Sequence, residues 1–86
     1  MPYVEGKLRP NLDKVVDAMV EAGIKANGDL NYVLYAFCKR HVEESYNTIK
    51  NYRGELKECH DEIGRKILAK YEDKKIETNG DIYKSK

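Results

Sequence analysis

Tryptophan is absent from this chain, phenylalanine occurs once, and only two prolines and two cysteines stand among its 86 residues. No stretch approaches the roughly 18 consecutive apolar residues of a membrane-spanning helix. The opening Met1-Pro2-Tyr3-Val4-Glu5-Gly6-Lys7 holds no apolar run able to act as an export signal. Two cysteines in an unexported chain read as buried thiols rather than a disulfide, because the cytoplasm keeps thiols reduced. A cytoplasmic location and no membrane partner are therefore expected. An excess of one charge is lacking too: 16 Lys and Arg against 15 Asp and Glu leave a formal +1. The field expected of a general nucleic-acid binder is missing, although a local basic patch remains open. There is no Gly-rich phosphate loop, since Gly54 and Gly64 stand alone in a helical pattern. No Ser/His/Asp or Cys/His grouping has a spacing that singles it out for nucleophilic catalysis.

What is present is charge and helical periodicity. Charged residues make up 36% and hydrophobic residues 41%, the balance of a thin helical bundle with large solvated faces. The length suits one domain, 1–86, with a thin margin of stability. Arg9-Pro10-Asn11 opens a first helix, where proline's missing N–H costs nothing. Leu8, Leu12, Val15, Val16, Met19 and Val20 share one face at spacings of three and four, a stripe that reads as core, and Gly23 supplies a stop. This gives helix one over about 9–22. Asn27-Gly28 is a turn, after which Asp29 is expected to cap a second helix over about 29–44. Its stripe is Leu30, Val33, Leu34, Phe37, Cys38, His41 and Val42, with Tyr32 and Tyr35 off that line.

A break is expected near Glu44–Tyr46, with Ser45 or Asn47 capping a third helix over about 47–75. Ile49, Tyr52, Leu56, Cys59, Ile63, Ile67 and Tyr71 recur there at intervals of three or four. Gly54 and Gly64 interrupt it, either to let another backbone approach or, at Gly64, to mark a bend. A continuous third helix runs roughly 40 Å, so two helices of about 20 Å cannot both lie along all of it. They pack end to end on it, or a second copy covers the rest; the small apolar inventory favours the second copy. Residues 76–86 read as an extended tail, with Ile76, Ile82 and Tyr83 as possible anchors. The expected fold is all-α: three helices, the third the longest, completed by self-association across Ile49, Leu56, Ile63 and Ile67.

Three constellations bear on chemistry. Cys38 and His41 lie three apart on helix two, and Cys59 with His60 follows on helix three, which suits zinc chemically. Adjacent Cys59 and His60 point about 100° apart, however, so the plainer reading is two small core cysteines with histidines at the edges. No bound metal or other cofactor is expected. Glu58-x-x-Asp61 matches half of the acidic signature by which helical nucleotide pyrophosphohydrolases hold magnesium. The other half fails, because Asn47 stands three residues after Glu43-Glu44 where glutamate is required. Interleaved Lys50, Arg53, Lys57, Arg65 and Lys66 make these acids look like an ion-paired solvated face. Finally, Asn47, Thr48, Lys50, Asn51 and Arg53 follow a helix and a short turn, as at the start of a DNA recognition helix. A capped helix start with ordinary polar residues on its solvent side also accounts for them, and the near-neutral charge favours that reading.

The start Met1-Pro2-Tyr3-Val4, the run Gly28-Asp29-Leu30-Asn31-Tyr32-Val33, Gly54-x-Leu56, and Tyr71-Glu72-Asp73-Lys74-Lys75 through Asn79-Gly80-Asp81-Ile82-Tyr83 occur together. In this the chain resembles, from end to end, a family of short uncharacterised proteins of tailed phages and prokaryotes. It departs from the pattern at Lys70, where proline is expected, and matches loosely over Lys39 to Arg53. The resemblance implies a phage or mobile-element accessory protein and carries over no catalytic residue, cofactor or partner. The reading is a non-enzymatic, helical interaction protein acting as a homodimer, with an unidentified protein partner also open. A small helix-turn-helix-like DNA-binding regulator is second and a metal-dependent nucleotide phosphohydrolase third. The seven tyrosines suit contact surfaces.

Overall fold

The computed structural model describes residues 3–80. It is 82% helical, with three helices, the last 34 residues long, and no strand among the described residues. A single 3₁₀ turn, Gly6–Leu8, leads into α1, Arg9–Glu21. Pro10 lies in the first turn as expected. The Arg9 Nε donates to the Val4 carbonyl at 2.9 Å, tying the entering chain to the helix start.

Gly23 ends α1 for a backbone reason. Its φ is +73°, which lets the Gly23 N–H reach the Val20 carbonyl at 3.0 Å and the Ile24 N–H reach that of Met19 at 3.1 Å. Those two bonds make a Schellman cap, satisfying carbonyls that the helix end otherwise leaves open.

Helix α2, Gly28–His41, is capped by Asn27 rather than Asp29. The Asn27 side-chain oxygen accepts the Asp29 N–H at 2.8 Å, while the Asp29 carboxylate accepts the Lys25 N–H at 3.4 Å. Both residue types can cap, but only Asn27 has the extended backbone a cap needs, at φ −149° and ψ −144°. The helix also stops three residues short of the expected 44. Val42 turns out at φ −88°, ψ 131°, so it belongs to the joint and not to the helical stripe.

Residues 42–45 connect α2 to α3, Tyr46–Ile63. Ser45 is the cap: its Oγ accepts the Thr48 N–H at 3.2 Å and lies 2.8 Å from the Thr48 hydroxyl, which also donates to the Glu43 carbonyl. After α3, Gly64–Leu68 forms one π turn, marked by the Ala69 N–H bonding the Gly64 carbonyl five residues back. Helix α4, Ala69–Asn79, continues the run. Residues 76–79 are thus helical where an extended tail was expected, and Gly80 closes the helix at φ +83°. Ile82, Tyr83 and the rest of that tail lie outside the described residues. Gly64 opens the irregular turn, but a Cβ there or at Gly54 would meet nothing within 4 Å among the described residues.

The chain divides into two compact units, described residues 3–53 and 54–80. In the first, α2 and the start of α3 meet through aromatic rings. Phe37 and Tyr52 lie 6.0 Å apart at 28°, and the Tyr52 hydroxyl donates to the Leu34 carbonyl at 2.6 Å. The second consists of the end of α3, the π turn and α4.

Candidate functional site

The stripes expected to form a core do not form one. No hydrophobic residue among those described is fully buried. Along α1, Leu12, Val15, Val16 and Val20 are all exposed, Val20 by 73%. On α2, Leu30, Val33, Leu34 and Cys38 are half-buried. The periodic pattern correctly marks which face of each helix is apolar; covering that face needs matter that one helix pattern cannot specify.

The expected self-association residues divide in two. Ile49 belongs to the first unit and helps line an open cleft of about 380 Å³ with Tyr35, Cys38, Lys39, Val42 and Glu44. Leu56, Ile63 and Ile67 belong to the second, and their exposure climbs from 36% through 49% to 65%. Leu68, the last residue of the π turn, and Tyr71 beyond it are exposed too. This surface was only partly legible beforehand, because the interruption of the helix at Gly64–Leu68 decides which residues share a face there.

Polar contacts sit beside this stripe. Glu62 is 6% exposed and pairs with Arg65, with the Lys66 Nζ at 3.7 Å from its second oxygen. That second oxygen, Oε2, is buried with no hydrogen bond among the described residues. Asp61 receives the Lys57 ammonium at 3.2 Å and the His60 ring at 3.2 Å. Those hydrogen bonds, His60 first and then Lys57, hold its carboxyl below the ordinary aspartate value. The expected pairing of acids and bases along the helix is thus drawn at Lys57–Asp61.

The metal candidates are placed without being assembled. Cys38 and Cys59 are both free thiols, the first half-buried and the second exposed, so Cys59 is not the small core residue expected. His41 instead lies against the Phe37 ring, with centroids 5.7 Å apart. No group of three or more His, Cys, Asp or Glu able to hold a metal ion occurs among the described residues. Of the DNA-reading candidates, Asn47, Lys50, Asn51 and Arg53 are exposed on α3. Thr48 is half-buried and its hydroxyl is engaged at the cap, while the Lys50 ammonium lies 5.7 Å over the Tyr46 ring. One contact went unforeseen. The hydroxyl of Tyr52 reaching α2 is a tertiary event, and burial, with the nearby Cys38 adding to it, pushes that phenol above its ordinary value.

Fold and surface together define a small all-α domain whose apolar residues line exposed helix faces. Among the described residues no helix is long and apolar enough to cross a membrane. The chain belongs to the family described as Domain of unknown function (DUF6899), whose model matches residues 1–82. No curated protein and no solved structure matches it.

Proposed function

We propose that this chain is a non-enzymatic, helical protein-interaction module that acts as a homodimer. The observation that carries this reading is the exposure of the apolar helix faces: among the described residues no hydrophobic side chain is fully buried, and Val20, Ile67 and Tyr71 are 73%, 65% and 56% exposed. Apolar burial stabilises by roughly 25 cal/mol per Å², so helices with no buried hydrophobic residue lack their main source of stability until something covers them. A second copy presents the same faces and is available wherever the chain is made. The end-to-end resemblance to short phage and prokaryotic proteins supports an accessory role in a phage or other mobile element.

The test is Leu56→Asp with Ile63→Asp, measured by sedimentation and circular dichroism. The wild type is expected as a dimer whose helicity falls on dilution. The double variant is expected as a monomer with reduced helicity at every concentration. A wild type that stays monomeric and fully helical at millimolar concentration removes the proposal.

A further inference from the structure

An asparagine followed by glycine is open to attack on its own side chain, because glycine has no Cβ to crowd the attacking nitrogen. The chain holds two such pairs, Asn27-Gly28 and Asn79-Gly80. The other asparagines, Asn11, Asn31, Asn47 and Asn51, lie inside helices and precede residues that carry side chains. The fold treats the two pairs oppositely: Asn27 stands just before a helix, and Asn79 is the last residue within one.

Attack requires the next backbone nitrogen to face the side-chain carbon Cγ. Around the Cα–C bond of an L-residue, that nitrogen eclipses Cβ when ψ is about −120°. At Asn27 ψ is −144°, within about 25° of the alignment. Its Oδ1 accepts the Asp29 N–H at 2.8 Å, a bond that draws electrons from Cγ and meets the oxygen on which charge develops. Gly28 opens α2, so its N–H has no partner within the helix, and no described turn or cap bond uses it. The positive end of the helix favours the negative charge that passes from this nitrogen to Oδ1. Asn27 and Gly28 are both exposed to water. Asn79 is set against the same reaction. A helical ψ of about −42° leaves it roughly 80° from alignment. The Gly80 N–H is also engaged, donating to the Ile76 carbonyl at 2.7 Å.

We infer that Asn27 is a self-modifying site, converting to aspartate and isoaspartate in the folded chain while Asn79 is preserved. The Gly28 nitrogen gives its proton to solvent base and attacks Cγ of Asn27. The N–Cγ bond forms, the Cγ–Nδ2 bond breaks, and Nδ2 takes up a proton and leaves as ammonia. Water then opens the five-membered imide. Opening at Cγ gives aspartate, and opening at the main-chain carbonyl of residue 27 gives isoaspartate, with the chain rerouted through the former side chain. Water is the one co-reactant, and no oxidant or reductant enters. The two products differ at the start of α2. Aspartate keeps a capping oxygen and places a negative charge at the positive helix end. Isoaspartate adds a carbon to the backbone and displaces the cap, so the Asp29 N–H loses its side-chain acceptor.

The experiment incubates the full chain at mildly alkaline pH, folded in buffer and unfolded in guanidinium chloride. Tryptic peptides covering 26–39 and 76–84 are followed by mass spectrometry that separates aspartate from isoaspartate. Each site's folded rate is divided by its own unfolded rate. Folding is expected to slow Asn79 at least about tenfold and to leave Asn27 within about threefold of its unfolded rate, or faster. Gly28→Ala, whose Cβ meets nothing within 4 Å among the described residues, crowds the nitrogen without disturbing the turn. It is expected to slow Asn27 at least about tenfold in the folded chain. Equal ratios at the two sites overturn the proposal, because the cap then protects Asn27 as the helix protects Asn79. A Gly28→Ala chain that converts as fast as the wild type overturns it as well, because the Gly28 nitrogen is then not the nucleophile.

Discussion

Tyr52 does two things through one hydroxyl: it fills the contact with Phe37 and it donates to the Leu34 carbonyl. Removing the oxygen in Tyr52→Phe keeps the ring and deletes the donor. Unfolding free energy is expected to fall by about 1 kcal/mol, measured by urea denaturation at constant protein concentration. The same phenol gives a pH dependence. Its value is raised in the folded chain, so its contribution is complete below pH 10 and is lost as the pH rises through the folded value. Wild type is therefore expected to lose stability above pH 10 more steeply than Tyr52→Phe. Residues differ in how far sequence predicts them. Ser45 at the start of α3 was readable as one of two cap candidates, with Asn47, because a cap bonds its own helix three residues on. Asn27 and Asp29 could not be separated by type, since backbone angles chose between them. Tyr52 was readable as apolar in phase, but not as a donor to α2, because 18 residues separate it from Leu34.

At the scale of elements, helix existence was legible and helix ends less so. The 3.6-residue pattern of α1 needs no neighbour to be seen, and Gly23 named its stop in advance because few other residues take φ +73°. The ends of α2 and α4 depend on weaker competition. Val42 continues the apolar phase of α2 and so looks helical, yet the Ser45–Thr48 cap begins a new helix only a few residues on. Residues 76–79 carry no strong stop before Gly80, and the helix runs on to it. The glycines give the sharpest contrast between positions. Gly23→Ala places a side chain at positive φ and is expected to cost about 1 kcal/mol, seen as a lower urea midpoint. Gly54→Ala puts a better helix former where a Cβ meets nothing, and is expected to add up to about 1 kcal/mol.

The whole molecule inverts the usual relation between pattern and core. Each helix carries its apolar stripe as expected, but among the described residues only Glu62 is buried, and that is a charged side chain. The sequence could show that the inventory is small; it could not show how completely the faces are left open, because burial is a property of what packs against them. If association supplies the missing cover, stability depends on protein concentration by mass action. The thermal midpoint is expected to rise by several degrees for each tenfold increase in concentration. Calorimetry over a hundredfold range checks this, and an unmoving midpoint speaks against a dimer coupled to folding.

The π turn also has a meaning in the reading frame. Where a helix already holds one residue beyond its regular count, a codon can be lost from the gene without turning the two halves of the helix relative to each other. Elsewhere in α3 the same loss swings every later residue round by about 100°. Differences in length among members of this family, within the long helix, are therefore expected to gather at positions 64–68 and to be single codons, which makes this short stretch the natural place for a gap when their genes are compared.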